Sequence, residues 1–192
     1  MTTAGMPPYR ILAVCTGNIC RSPAVERLLG SALDASVEVR SAGTHALVGE
    51  PIHPPMATLL TAVGAAVDGF RATQLTESTV RQADLILTLT RHHRASVVDL
   101  WPGAVRRTFT LAELARALQL VDPAELPARA SAAERLTAAL PQAAVLRGQI
   151  VPTSPDADDV IDPYGRDEEV YREAFAAIRE AVTSIADVAQ GR

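Results

Sequence analysis

The chain has 192 residues, 48% of them hydrophobic but only 4% aromatic, and a formal net charge of -4. That is ample apolar sequence for one α/β core, so general disorder is excluded, and the mild charge leaves no footprint for nucleic acid or an anionic membrane. There is no lysine, which excludes a lysine-dependent Walker phosphate loop.

Residues 1–8 carry two prolines, no basic start and no apolar run, and read as a flexible tail rather than a signal peptide. No stretch is long and apolar enough to span a bilayer. Two cysteines are too few for a disulfide-stapled secreted fold. The expected setting is the reducing cytoplasm, and the expected organisation is a single domain over residues 1–192.

Residues 9–14 predict a fully buried strand, because Ile11, Leu12, Ala13 and Val14 run without a polar break. The small, polar segment from Cys15 to Arg21 follows at once, and Ser22-Pro23 reads as the cap and first position of a helix. Ala24, Val25, Leu28, Leu29 and Ala32 recur at helical spacing. Further strands are expected at 37–40, 84–89 and 105–109, with helices at 54–63, 76–82, 92–100 and 111–118. Strands alternating with helices imply a parallel sheet joined by right-handed crossovers. Between 119 and 156 the pattern weakens. A helix-like stretch at 131–140 is flanked by Pro123, Pro127 and Pro141, and an exposed loop is expected around Pro152 and Pro155. An amphipathic helix at 168–188 closes the chain.

A strand, a tight loop and a helix start together aim backbone N–H groups at an anion. The five residues between Cys15 and Arg21, namely Thr16, Gly17, Asn18, Ile19 and Cys20, can curl into a ring around a phosphate dianion. The ring's amides, the helix end and Arg21 all favour thiolate over thiol at Cys15. The Ser22 hydroxyl can donate to the sulfur, and Arg21 offers a planar fork that matches two phosphate oxygens. An ionised sulfur there attacks phosphorus and forms a phosphocysteine. A Cys and an Arg at this spacing alone are weak evidence. The weight rests on the whole run CTGNICRSP and its place after a buried strand.

That run resembles the signature of the low-molecular-weight protein tyrosine phosphatases. Asp162-Pro163-Tyr164 resembles the family's second motif near the C-terminus. Ser41-Ala42-Gly43-Thr44 and the segment from Phe109 to Glu113 also look like family blocks, whereas residues 120–157 form an insert with no clear counterpart in shorter members. The resemblance implies a three-layer α/β/α fold of the phosphotyrosine phosphatase I type, with a four-stranded parallel sheet in the order 2-1-3-4. It implies a hydrolase without cofactor or metal, with Cys15 as nucleophile, Arg21 as phosphate ligand and Asn18 bracing the loop in a strained conformation. It further implies Asp162 as acid for the leaving phenolate and as base for the second step. Asp158 and Asp159 are expected to hold a proton on Asp162 by like-charge repulsion. Bacterial relatives of this kind often act on tyrosine kinases of capsule or exopolysaccharide export. The expected partner is therefore a phosphotyrosine protein such as that kinase.

Two departures from the family pattern stand out. Tyr164 forms one wall of the expected cleft, but the loop after the second strand has His45, Ala46 and Leu47 where relatives often supply an opposing aromatic, so Leu47 is the expected second wall. Phe70 stands where many relatives have a histidine that holds the bracing Asn, and Ser41 is the candidate substitute. His92 and His93 read as exposed. In the family, a second cysteine in the loop, here Cys20, can pair reversibly with the nucleophile. Three alternatives share these residues: an arsenate reductase, a phosphoarginine phosphatase and a non-catalytic phosphoprotein-binding module. The first needs relay cysteines that the chain lacks beyond Cys20. The second tends to carry a small polar residue at the position of Ile19. The third needs neither thiolate nor acid.

Overall fold

The structure is a computed structural model that describes residues 7–151, 154 and 156–192. Most of the expected tail at 1–8, together with Pro152 and Pro155, lies outside the described residues. Four strands form one parallel sheet: β1 (Tyr9–Cys15), β2 (Val37–Gly43), β3 (Leu85–Thr88) and β4 (Thr108–Thr110). Their order is β2-β1-β3-β4, with β1 central. The unbroken apolar run of β1 is explained by burial on both sides. Ile11 and Ala13 enter one core and Leu12 and Val14 enter the other.

The larger core is covered by α1 (Arg21–Ala32), α2 (Pro54–Ala62), α5 (Leu111–Leu118), α6 (Ala132–Leu146) and α7 (Glu168–Gln190). The smaller core lies under α3 (Glu77–Gln82) and α4 (Arg91–Leu100), closed by Val80, Val97 and Ala104. With helices on both faces, the C-terminal ends of β1, β3 and β4 meet at one edge, where loops can gather a site.

Three sequence expectations shift. The fourth strand covers Thr108–Thr110, because Pro102–Arg107 winds into a 3-10 helix that leaves Val105 exposed. There the Arg107 guanidinium donates to the Gly103 and Val80 carbonyls, which fixes the turn before the strand. The second strand runs on to Gly43, which pairs with Cys15. A Cβ at Gly43 would sit 2.4 Å from the Thr16 carbonyl oxygen, so only glycine permits this approach. Finally, Pro141 interrupts nothing: α6 continues through it to Leu146, with Ala139 and Ala143 buried on either side. Packing of the small-residue face offsets the lost hydrogen bond.

The insert rests on the body through Arg135, which is buried. Its Nε donates to Val188 O at 2.8 Å and its Nη1 to Pro127 O at 2.6 Å. A cation on the terminal carbonyls of α7 complements the negative end of that helix. No helix among the described residues is long and apolar enough to cross a membrane.

Candidate active site

The loop between β1 and α1 is built as a ring by its carbonyls. Cys15 O, Thr16 O and Gly17 O accept from Thr44 N (2.9 Å), His45 N (3.0 Å) and Leu47 N (3.0 Å), and Ile19 O accepts from His53 N (2.8 Å). The N–H groups of residues 16–20 enter no hydrogen bond among the described residues. Carbonyls spent outward leave the amides free for an anion, at the mouth of α1. Cys15 lies at the ring's base, buried, with its Sγ 3.0 Å from Ser22 Oγ. The helix cap is Cys20 rather than Ser22, which sits inside the first turn. Ser22 is therefore free to serve the sulfur instead of capping backbone amides.

Asn18 is the brace. Its φ of 54° is the sole positive value at a non-glycine among the described residues. The strain is held by a fully buried amide whose Nδ2 donates to Ser22 Oγ (2.9 Å) and Ser41 Oγ (2.8 Å). Its Oδ1 accepts from Thr73 N at 2.7 Å. Ser41 in turn donates to Glu26 Oε2 at 2.6 Å. Burial pushes the Glu26 carboxyl up from its ordinary range, against the pull of Ser41 and Arg27. Ser41 thus takes the place that Phe70 cannot fill. Phe70 is buried and carries the Arg27 guanidinium 5.5 Å above its ring.

Arg21 is buried, yet only part of its fork is used. Nη1 donates to Val160 O at 3.2 Å and Nη2 meets Asp162 Oδ2 at 2.6 Å, while Nε has no partner among the described residues. A buried guanidinium N–H without an acceptor costs stability unless a ligand supplies one. Asp162 is more than half exposed, and its Oδ1 accepts from Tyr164 N at 3.2 Å. The structure corrects the expected repulsion from its neighbours. Asp158 is paired with Arg116, and Asp159 accepts from Arg91 N at 2.7 Å and faces the Arg91 side chain. With their charges compensated, neither is an unopposed anion beside Asp162.

Tyr164 stands exposed at the mouth. Behind it the structure places a residue that no sequence motif singles out. The His53 ring meets Tyr164 edge-on with centroids 5.4 Å apart, and stacks on Tyr171 at 5.8 Å. His53 Nδ1 and Tyr171 Oη lie 2.8 Å apart, and Tyr171 Oη is 3.8 Å from Cys20 Sγ. Aromatic backing for Tyr164 therefore comes from His53, the cap residue before α2, and behind it from Tyr171 of α7, not from the 45–47 loop. Leu47 lies half-exposed beside Gly17, and His45 is on the surface. Cys15 and Cys20 are both free thiols, and burial pushes the Cys20 thiol up to about 12.

His92 is exposed as expected, but His93 is buried and touches the loop. Its Nε2 is 2.9 Å from Thr16 Oγ1 and its Nδ1 2.9 Å from Thr90 Oγ1. Burial, with the nearby Arg21 charge, lowers its pKa to about 4. The missed signal is Thr90 as cap of α4: the third residue of a capped helix can turn back towards the sheet end.

Sequence comparison decides the family. The family described as low molecular weight phosphotyrosine protein phosphatase matches residues 10–142. The chain belongs to that family. Low molecular weight phosphatase relatives include the protein-tyrosine-phosphatase Etp of Escherichia coli (strain K12), 38% identical over 113 residues, which cover 59% of this chain and 76% of Etp. A protein-arginine-phosphatase of Geobacillus stearothermophilus is 40% identical over 106 residues, 54% of this chain and 70% of that protein. The solved YwlE arginine phosphatase from Geobacillus stearothermophilus superposes with a TM-score of 0.69 at 28% identity, covering 95% of this chain and 94% of that one. The phosphatase fold, its sheet order and its hydrolase class are thereby those of this protein.

Proposed function

We propose that the protein hydrolyses phosphotyrosine in proteins through a phosphocysteine at Cys15. One observation carries the reading. A buried thiol, 3.0 Å from a serine hydroxyl, lies at the base of a ring of unpaired amides, next to a buried arginine with an open Nε. In the first step the phosphoryl group seats in the ring and its oxygens take the open Arg21 Nε and the Nη2 now held by Asp162. The phosphate dianion that displaces Asp162 from Arg21 favours its protonated form, so Asp162 takes up a proton from solvent. As the Cys15 sulfur attacks phosphorus and the P–O bond to the phenol breaks, Asp162 gives that proton to the departing oxygen. In the second step Asp162 takes a proton from water, whose oxygen displaces the sulfur and releases inorganic phosphate. Ser22 donates to the sulfur as it leaves. The amides and Arg21 stabilise the charge on the equatorial oxygens in both steps.

Phosphotyrosine is favoured because Tyr164, backed by His53, offers an exposed ring for a phenyl group. The likeness in sequence and in structure to a Geobacillus stearothermophilus arginine phosphatase supports a second reading, phosphoarginine. The proposed partner is the autophosphorylated tyrosine kinase of an exopolysaccharide export system, in the cytoplasm; the tyrosine-phosphatase name that Etp carries supports the phosphotyrosine part of this proposal. Turnover of phosphotyrosine, phosphoserine and phosphoarginine peptides, with Cys15→Ser as control, tests the proposal. A preference for phosphotyrosine of at least tenfold is expected, and a preference for phosphoarginine selects the second reading.

A further inference from the structure

Thr16 is the residue after the nucleophile, and its side chain stands at the exposed mouth of the loop. The one hydrogen bond of its hydroxyl among the described residues is to His93 Nε2, at 2.9 Å. His93 is buried between this hydroxyl and that of Thr90, so both ring nitrogens are engaged by oxygens that can either donate or accept. The direction of the chain is set at Thr90. Its Oγ1 accepts from His93 N at 3.2 Å as the cap of α4, and among the described residues His93 Nδ1 is the one acceptor within reach of its own proton. An accepting Nδ1 places the ring proton on Nε2, and Nε2–H then donates to Thr16 Oγ1. The Thr16 hydroxyl proton is not consumed by the histidine and is left for an acceptor in the loop.

We propose that His93 is a positioning residue that, through Thr16, adds a side-chain hydroxyl donor to the amide ring that receives the phosphoryl group. The chain runs Thr90 to His93 to Thr16 to phosphoryl oxygen, and each link donates forwards. Burial and the Arg21 charge keep the imidazole neutral well below neutral pH, so it holds one ring proton throughout the working range. The inference rests on the reading of residues 15–21 as the phosphate loop.

The test is competitive inhibition by inorganic phosphate, together with kcat and KM for para-nitrophenyl phosphate, in Thr16→Val, His93→Asn, His93→Gln and the double variant Thr16→Val with His93→Asn. Thr16→Val and His93→Asn are each expected to weaken phosphate roughly tenfold, the size of one hydrogen bond to a charged group. Gln presents an N–H at the reach of Nε2 and is expected to restore affinity to within about threefold of the parent, whereas Asn reaches only the Nδ1 position. The double variant should be no weaker than Thr16→Val, because the two act as one unit. Nitrogen-15 spectra of the imidazole should report the Nε2–H form. Unchanged phosphate affinity in Thr16→Val, additive losses in the double variant, or an Nδ1–H ring would each overturn the inference. Thr16 is exposed, so its variant is informative even where His93→Asn fails to fold. Cys15→Ser separates the two levels: persistent turnover there removes the phosphate-loop reading. A dead Cys15→Ser beside a Thr16→Val that binds phosphate like the parent removes only the role of His93.

Discussion

Replacing Asp162 by Asn should divide binding from turnover, and the structure fixes the sign of both changes. The Asp162 carboxylate sits 2.6 Å from Arg21 Nη2 and occupies a donor that a phosphoryl oxygen needs. Its loss releases that donor, so inorganic phosphate should bind more tightly. The gain is small, because the Asp162 side chain is 53% exposed even though that of Arg21 is 5% exposed. Pairs of this kind contribute up to about 1 kcal/mol, which corresponds to no more than roughly a fivefold tightening. Turnover should move the other way. Removing a positioned acid and base costs about 10²- to 10⁴-fold. The loss should be greater on a phosphotyrosine peptide than on para-nitrophenyl phosphate, whose leaving anion needs protonation less. Steady-state rates on both substrates, with phosphate as competitor, measure all three effects. A variant that turns over phosphotyrosine within tenfold of the parent would remove Asp162 from the mechanism.

Asn18→Ala should destabilise the protein by about 3 kcal/mol in urea titrations, since it orphans Thr73 N and leaves alanine at a φ of 54°. Asn18→Gly should recover about 1 kcal/mol of this by relieving the backbone alone. The His93 pKa of about 4 lies below the usual 6.5, so between those values the unfolded chain binds more protons than the folded one. Stability is therefore full above pH 6.5 and falls as pH drops towards 4. His93→Gln should remove this pH-dependent loss, about 3 kcal/mol between pH 6.5 and 4, and an unchanged pH dependence would contradict the burial of a neutral ring. Arg135→Ala should cost about 2 kcal/mol in thermal melts by releasing the Val188 and Pro127 carbonyls, with little change in kcat.

Legibility followed the range of each interaction. The loop from Cys15 to Ser22 could be read because its chemistry is local: a buried strand, small residues and a helix start in one continuous segment. The sheet order came with the family resemblance, not from strand patterns, which leave the order open. Val105 misled because an apolar residue before Phe109 looks like strand, while Pro102 and the Arg107 contacts favour a 3-10 turn. Pro141 misled because a proline's cost is local and the alanine face that outweighs it is tertiary. His53 and His93 were out of reach for the same reason. Each acts on a partner far along the chain, His53 on Tyr171 and His93 on Thr16. Nor could the sequence show that Asp158 and Asp159 are compensated by Arg116 and Arg91.

The most direct test of the mechanism is to quench the enzyme in acid during turnover of a phosphotyrosine peptide and locate the transferred phosphoryl group by mass spectrometry. One phosphoryl group per chain is predicted, on Cys15, and it should be more abundant in Asp162→Asn turning over para-nitrophenyl phosphate, whose anion departs with little help from the acid while hydrolysis still lacks its base. A chain that turns over substrate without a phosphorylated Cys15, or that carries the group on another residue, would contradict it.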